Sequence, residues 1–255
     1  MGQELSKKII ANNRLEFVGG FEHKKHKNIN KEFNKVSDIK CSNLIYSNPA
    51  PSIKLANVLI DFTTPQSTLE NIKIASLNKT AVVIGTTGIS DAQKNKIKSF
   101  SKKIPILMSS NMSIGVNLLF GLVKKAASSL GGNEYDIEIA ETHHKHKLDA
   151  PSGTALSLGE YAAEGRKTSL DKSKVLDRTK NLKKRKNGDI GFSVTRGGEI
   201  AGEHTVSFIS KDDRVDLVHK ANNRSIFVKG ALDAAIFLSK KKSGFYTMND
   251  LLFYK

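Results

Sequence analysis

Cysteine is almost missing: Cys41 is the one thiol in 255 residues. No internal disulfide can form, and a reducing cytoplasm is the expected compartment. No apolar run approaches the roughly 20 residues that cross a bilayer. No secretory leader is read at the start of the sequence, so neither membrane nor export is expected. Acidic side chains are in deficit, 25 against 41 Lys and Arg, for a net charge of +16. Such a field draws anions of every kind, from nucleic acid to small metabolites. The lysines are scattered rather than gathered into one stripe, which argues against a nucleic-acid groove. The most basic stretch, 168–187, contains Lys183-Lys184-Arg185-Lys186 and no aromatic residue. Without rings on which bases stack it reads as a surface loop.

Apolar residues make up 38% of the chain, enough for one large or two modest cores. Residues 1–12 read as a helix, and Leu15–Phe21 as a strand followed by Glu22. Asn57–Phe62 is a near-continuous apolar run, as in a buried parallel strand. Thr64-Pro65 then supplies a cap and a first-turn proline, with Leu69, Ile72 and Ala75 at helical spacing. Ala81–Ile84, a helix over 90–102 and Ile104–Met108 continue the alternation. Repeated strand–helix units imply a doubly wound α/β sheet, whose ligands bind beyond the carboxyl ends of its strands. Gly85-Thr86-Thr87-Gly88 and Ser109-Ser110-Asn111-Met112 lie at those ends, and Glu22 ends the strand before them. An acid in that place takes ribose hydroxyls. His23, Lys24, Lys25, His26 and Lys27 follow it as a basic patch.

Residues 115–130 read as a long apolar helix. Three strands are expected later, at Gly191–Arg196, His204–Ser210 and Arg214–His219, joined antiparallel with a tight turn at Asp212-Asp213. An apolar helix, 226–239, precedes the closing segment 244–255.

The densest chemistry lies at 141–155, where three of seven histidines, His143, His144 and His146, fall within four residues with Lys145 and Lys147 interleaved. Tyr135–Ala140 alternates as a half-buried strand, and 155–163 reads as a helix with Pro151 in its first turn and Asp149 or Ser152 as cap. The expected free N–H groups of that helix are those of Ser152, Gly153 and Thr154. They suit a carboxylate or phosphate, beside histidine, which titrates near neutrality, and a lysine crowded by cations.

The run E-x-H-H-x-x-K-x-D-A-P-S-G-T-A over 141–155 resembles the signature of the dihydrodipicolinate (4-hydroxy-tetrahydrodipicolinate) reductases. The resemblance extends to D-F-T-x-P at 61–65, I-G-T-T-G at 84–88, N-x-S-x-G at 111–115 and R-x-G-x-x-x-G-x-H at 196–204. It implies a Rossmann-like parallel-sheet domain over 1–112 and 223–255. It also implies an α+β substrate-binding and tetramerisation domain over 113–222, with an open mixed or antiparallel sheet. It further implies hydride transfer from NADH or NADPH to a small cyclic dicarboxylate, in a homotetramer. His143 would donate and accept the proton, Lys147 donate it, His144 contact substrate, and Gly153 and Thr154 bind a carboxylate. Met1, Glu22, His23, Gly85, Thr86, Thr87, Ser109, Ser110, Asn111 and Met112 would contact the cofactor. The family pattern opens with a strand and a Gly-rich turn, and the sequence enters it at Met1-Gly2, so an upstream strand is expected. Two other readings compete: a zinc hydrolase using His143, His144 and His146, and an inactive remnant or basic binding module.

Overall fold

A computed structural model describes residues 1–36, 41–179 and 183–252. Part of the basic stretch (180–182) and the end of the closing segment (253–255) lie outside them. The chain divides into two compact units, Met1–Ser113 with Ser225–Lys255, and Ile114–Arg224.

The first unit opens with α1 (Gly2–Ile10), followed by the short strands β1 (Gly20–Phe21) and β2 (Ile45–Tyr46), which pair in parallel. The extended run expected over 15–21 is thus a ladder at two residues only, since Gly19, at φ +147, turns the backbone just before it. Next come α2 (Ala50–Leu55), β3 (Val58–Asp61), α3 (Pro65–Asn78), β4 (Ala81–Ile84), α4 (Asp91–Phe100) and β5 (Pro105–Met108). The expected cap at Thr64 forms, its hydroxyl accepting from the Ser67 N–H at 3.4 Å; at the next helix Ser90 and Gln93 make a reciprocal capping box that the sequence reading did not name. The β3–α3 turn is tied by Asp61, which is buried and accepts from the Thr63 N–H at 2.8 Å and Asn71 Nδ2 at 2.9 Å.

The second unit begins with α5 (Ile114–Ser129) and β6 (Asp136–His143), then α6 (Gly153–Gly165), a short α7 (Leu170–Ser173), β7 (Lys174–Val175), β8 (Ile190–Arg196), β9 (Glu203–Ile209) and β10 (Arg214–Lys220). Its sheet runs β10-β9-β6-β8-β7, with β6 parallel to β8 and antiparallel to β9. The three late strands therefore do not form the contiguous antiparallel set that their short connections suggested. β6 enters between β8 and β9, because it carries the buried Ile137 and Ile139 and takes the sheet centre. Residues 197–202 bridge the two strand spacings, about 10 Å. Val116, Leu119, Phe120 and Val123 of α5 and Leu158 and Ala162 of α6 pack on Ile137, Ile139, Val206 and Phe208. The described residues of the basic stretch are more than a plain surface loop. They include α7 and β7, and Arg185 reaches Asp136 at 2.8 Å and also Glu138, which Arg178 meets at 2.9 Å.

The chain returns to the first unit through α8 (Ser225–Leu238), β11 (Gly244–Tyr246) and α9 (Met248–Leu252), giving a parallel sheet of order β11-β5-β4-β3. Ile72, Ile84, Ile97 and Ile106 are fully buried in its core. A Cβ added at Gly230 of α8 would overlap the backbone carbonyl of Met112. Gly230→Ala is therefore expected to cost about 1–3 kcal/mol of overpacking, read from the urea midpoint. An unchanged midpoint would show that the helix has room to shift.

Candidate functional site

In β6 successive side chains alternate faces, so Glu141 and His143 follow Ile137 and Ile139 on the buried side. The strand thus ends its apolar stripe with two titratable groups, Glu141 at 2% exposure and His143 at 8%. The pairing of β6 with β8 sets Arg196 opposite His143, and the pairing with β9 sets His204 opposite Glu141.

Glu141 is the hub. One carboxylate oxygen accepts from Arg196 Nη2 at 2.8 Å and from the Ser152 N–H at 3.0 Å; the other meets His143 Nδ1 in a short hydrogen bond. Burial alone would raise its pKa, but the bonds from Arg196, Ser152 and His143 outweigh burial and hold the carboxyl below its ordinary range. Burial lowers the pKa of His143; Glu141 opposes that shift, and the charges of Lys147 and Arg196 add to it. His204 is buried, chiefly by desolvation pushed down to about 4, and its Nε2 lies 3.2 Å from the Ser152 hydroxyl.

Ser152 caps α6, its hydroxyl accepting from the Ala155 N–H at 3.2 Å. Two sequence expectations are corrected here. Pro151, joined to Ala150 by a cis bond, precedes the cap instead of standing in the first turn. The Ser152 N–H is also not free, because its position beside the end of β6 gives it to Glu141. Gly153 and Thr154 open the helix, with nothing within 4 Å of where a Gly153 Cβ would stand. The Asp149 carboxylate pairs with Lys147 Nζ at 2.8 Å. That bond, then the Lys147 charge and, less strongly, the Gly153 N–H hold it below the usual carboxylate range. Lys147, expected among cations, therefore has a carboxylate as its ion-pair partner.

The loop after β6 is pinned by backbone bonds, from His144 N–H to Ile200 O at 2.9 Å and from Lys145 N–H to Gly198 O at 3.1 Å. His144 is half-buried, and its ring centroid lies 6.2 Å from that of His146. The site thus places a buried histidine and a lysine close to the amino end of a helix of 13 residues. It can hold an anion and move a proton. Sequence reasoning selected His143, Lys147, Gly153 and Thr154. It missed the roles of Arg196 and of Glu141, whose one local signal was the E-x-H alternation along a strand, and, though it offered Ser152 as a cap, it missed the bond from the Ser152 N–H to Glu141.

In the first unit the expected cofactor residues divide into two kinds. Thr86 and Asn111 are buried and used internally. The Thr86 hydroxyl bonds Thr68 Oγ1 at 2.8 Å, and Asn111 Oδ1 accepts from the Ser113 N–H at 2.8 Å. Met112 is buried at 2% exposure, and the Ser109 hydroxyl donates to Asn111 O at 2.7 Å. Gly85 lets the Phe62 ring lie against the backbone, where a Cβ would collide with it. Thr87, Ser110, Glu22 and His23 are exposed, and Glu22 Oε1 accepts from the His23 N–H at 2.7 Å. Met1 caps α1 with no side-chain bond, and a Cβ at Gly2 would meet nothing within 4 Å. An open helix amino end and an acid at the end of β1 are the donor and acceptor set that a dinucleotide requires, so the residues present fit one.

Two family models match the chain, one described as dihydrodipicolinate reductase, N-terminus, over residues 1–112, and one as dihydrodipicolinate reductase, C-terminus, over 115–252. The 4-hydroxy-tetrahydrodipicolinate reductase of Brucella melitensis biotype 1 is 42% identical over 253 residues, covering 99% of this chain and 94% of that protein. The protein of the same name from Polynucleobacter necessarius subsp. necessarius is 40% identical over 252 residues, with the same coverage. Among solved structures, a dipicolinate-bound dihydrodipicolinate reductase from Paenisporosarcina sp. TG-14 shares the fold at 24% identity. Its TM-score is 0.75, over 97% of this chain and 94% of that one. An amine dehydrogenase from Mycobacterium smegmatis shares the fold at 6% identity and a TM-score of 0.63, over 96% and 92% of the two chains.

Proposed function

The chain belongs to the dihydrodipicolinate reductase family, and from that premise we propose that His143, Lys147 and the amino end of α6 carry out the substrate half of its reaction. The protein is an oxidoreductase that reduces 4-hydroxy-tetrahydrodipicolinate to tetrahydrodipicolinate with a nicotinamide cofactor, in the diaminopimelate route to lysine. The observation that carries the residue assignment is the single cluster of His143, Lys147 and the first turn of α6 at the end of β6.

The substrate is a ring with two carboxylates. One of them takes the place beside Lys147, Gly153 and Thr154 that the Asp149 carboxylate now partly fills. His144 bounds the same loop and contacts the ring. When bound, the nicotinamide would supply a hydride to ring carbon C4 once the C4 hydroxyl has left as water. The chain's own task is protonic: His143 exchanges a proton through Nε2, and the Lys147 ammonium donates one where negative charge develops. The first unit holds the cofactor and the second holds the substrate. The decisive assay is oxidation of NADH or NADPH by this protein with freshly formed substrate. Absence of turnover, and of nicotinamide binding, would favour an inactive remnant.

Both cofactors serve in this reading. Glu22 accepts from the ribose hydroxyls of NADH, while His23 and the lysines after it meet the 2′-phosphate of NADPH. Glu22→Ala is expected to raise the KM for NADH about tenfold, the scale of a lost hydrogen bond to a charged group, and to change the NADPH value less. Equal shifts in the two KM values would remove Glu22 from the ribose.

A homotetramer completes the proposal. Ala140, Ser193 and Val218 on the sheet face opposite Ile139 and Val206 are exposed, Val218 at 49%. An open sheet gains by covering such a face. Sedimentation at four protomer masses is expected, falling for Val218→Asp. A monomeric wild type would contradict it. No helix among the described residues is long and apolar enough to cross a membrane. The reducing cytoplasm suits the free Cys41.

A further inference from the structure

We infer that Glu141 is a positioning residue for the reaction, fixing His143 as the Nδ1–H tautomer so that Nε2 is the atom left to carry the proton, while the same carboxylate seats the amino end of α6. The inference rests on the assignment of His143 above. It starts from donors and acceptors. An ionised carboxylate only accepts. Glu141 is kept ionised by Arg196 and by the Ser152 N–H, so the group it holds at His143 Nδ1 must be an N–H. A neutral imidazole carries one proton, and placing it on Nδ1 makes Nε2 the bare acceptor.

The surroundings of Nε2 agree with that assignment. Gly202, at φ +148, lies beside it, and a Cβ there would stand 2.9 Å from Nε2. Any side chain at 202 would crowd the proton-carrying atom, and the left-handed backbone favours glycine as well. The His204 ring packs edge-on against His143, centroids 5.1 Å apart, and holds its plane. The charged and titratable groups facing His143 are thus Glu141 on its own strand, Arg196 on β8, His204 on β9 and Lys147 on the loop.

Glu141, His143 and His204 also bring three metal-type donors within 4.8 Å of one another. One oxygen of Glu141 already serves Arg196 and Ser152, and two fixed cations, Arg196 and Lys147, act on His143. A dication would enter a cluster whose anion is already neutralised. That cluster is an orienting network, not the donor set of a metal, and the His143-His144-His146 zinc reading gains nothing from it.

Two measurements test the inference. In the intact wild-type protein, ring 15N shifts of His143, assigned by comparison with His143→Gln, should show Nδ1 protonated and Nε2 bare above its titration. An Nε2–H tautomer overturns the proposal, and the reading needs no variant at Glu141. The second is the pH profile of kcat for Glu141→Gln and Glu141→Asp. Glu141→Gln should lower kcat about 100-fold and move the limb set by His143 to lower pH, since the anion that favours the imidazolium is gone. Glu141→Asp should recover part of both effects. A lowered kcat with an unmoved limb would make Glu141 structural only and overturn the proposal. His143→Gln separates the two levels: full turnover there refutes the role of His143 itself, whereas an inactive His143→Gln beside an Nε2–H tautomer refutes only the positioning.

Discussion

His143→Gln should lower kcat by about two to four orders of magnitude, the usual scale for a general acid–base group, and Lys147→Ala should fall in the same range. The two variants should differ in KM. His143 faces the buried network and carries no fixed charge toward the substrate, so its loss falls mainly on turnover. Lys147 is a cation beside the first turn of α6, and its loss also removes a carboxylate partner and releases Asp149 from its ion pair. A raised KM together with a lowered kcat is expected for Lys147→Ala, because uniform binding and transition-state binding are both removed. Initial rates of nicotinamide oxidation at saturating cofactor, with circular dichroism to verify folding, decide the matter. Rates within about twofold of wild type in both variants would discard the assignment.

The second large effect is acid destabilisation of the second unit through His204. Its pKa is pushed down to about 4 by burial, with His143 and His219 repelling the charged form. Native His204 is therefore neutral, whereas the unfolded chain takes up a proton near pH 6.5. The contribution is fully present above pH 6.5 and is lost as pH falls through that value toward 4. A depression of that size corresponds to roughly 3 kcal/mol in full, of which about 2 kcal/mol is gone by pH 5. His143 and His219 are both lowered chiefly by burial and act in the same direction. Urea midpoints between pH 7.5 and 5 should fall steeply for wild type and less steeply for His204→Asn. The baseline of the variant is irrelevant, since only the slope reports the proton. Parallel slopes would mean that His204 does not carry the acid sensitivity.

What the sequence made legible was local. The apolar stripe of Leu69, Ile72 and Ala75, the cap at Thr64 and the buried run at Ala81–Ile84 are written in neighbouring residues, and they form as expected. Strand order was not legible. Nothing near β8 or β9 says that β6 will lie between them, and that choice follows from which strand has the most apolar surface to bury. The site divides in the same way. His143 and Lys147 stand in one crowded segment and were visible. Arg196 joins them only through the β6–β8 register, and His204 only through β6–β9. Glu141 lay inside the segment, but a glutamate on an alternating strand reads as solvent-facing until its neighbours show that its face is the buried one. Of the two caps read there, Asp149 and Ser152, Ser152 is the one that forms. Its second bond, to Glu141, depends on where the end of β6 comes to lie beside α6.

The most direct test is a crystal structure of this protein with pyridine-2,6-dicarboxylate, a planar ring bearing two carboxylates. One carboxylate is expected against Lys147 Nζ and the backbone N–H groups of Gly153 and Thr154, with Asp149 displaced and the ring within hydrogen-bond reach of His143. A ligand bound away from the amino end of α6, with the Lys147–Asp149 pair intact, would contradict the assignment from which the rest follows.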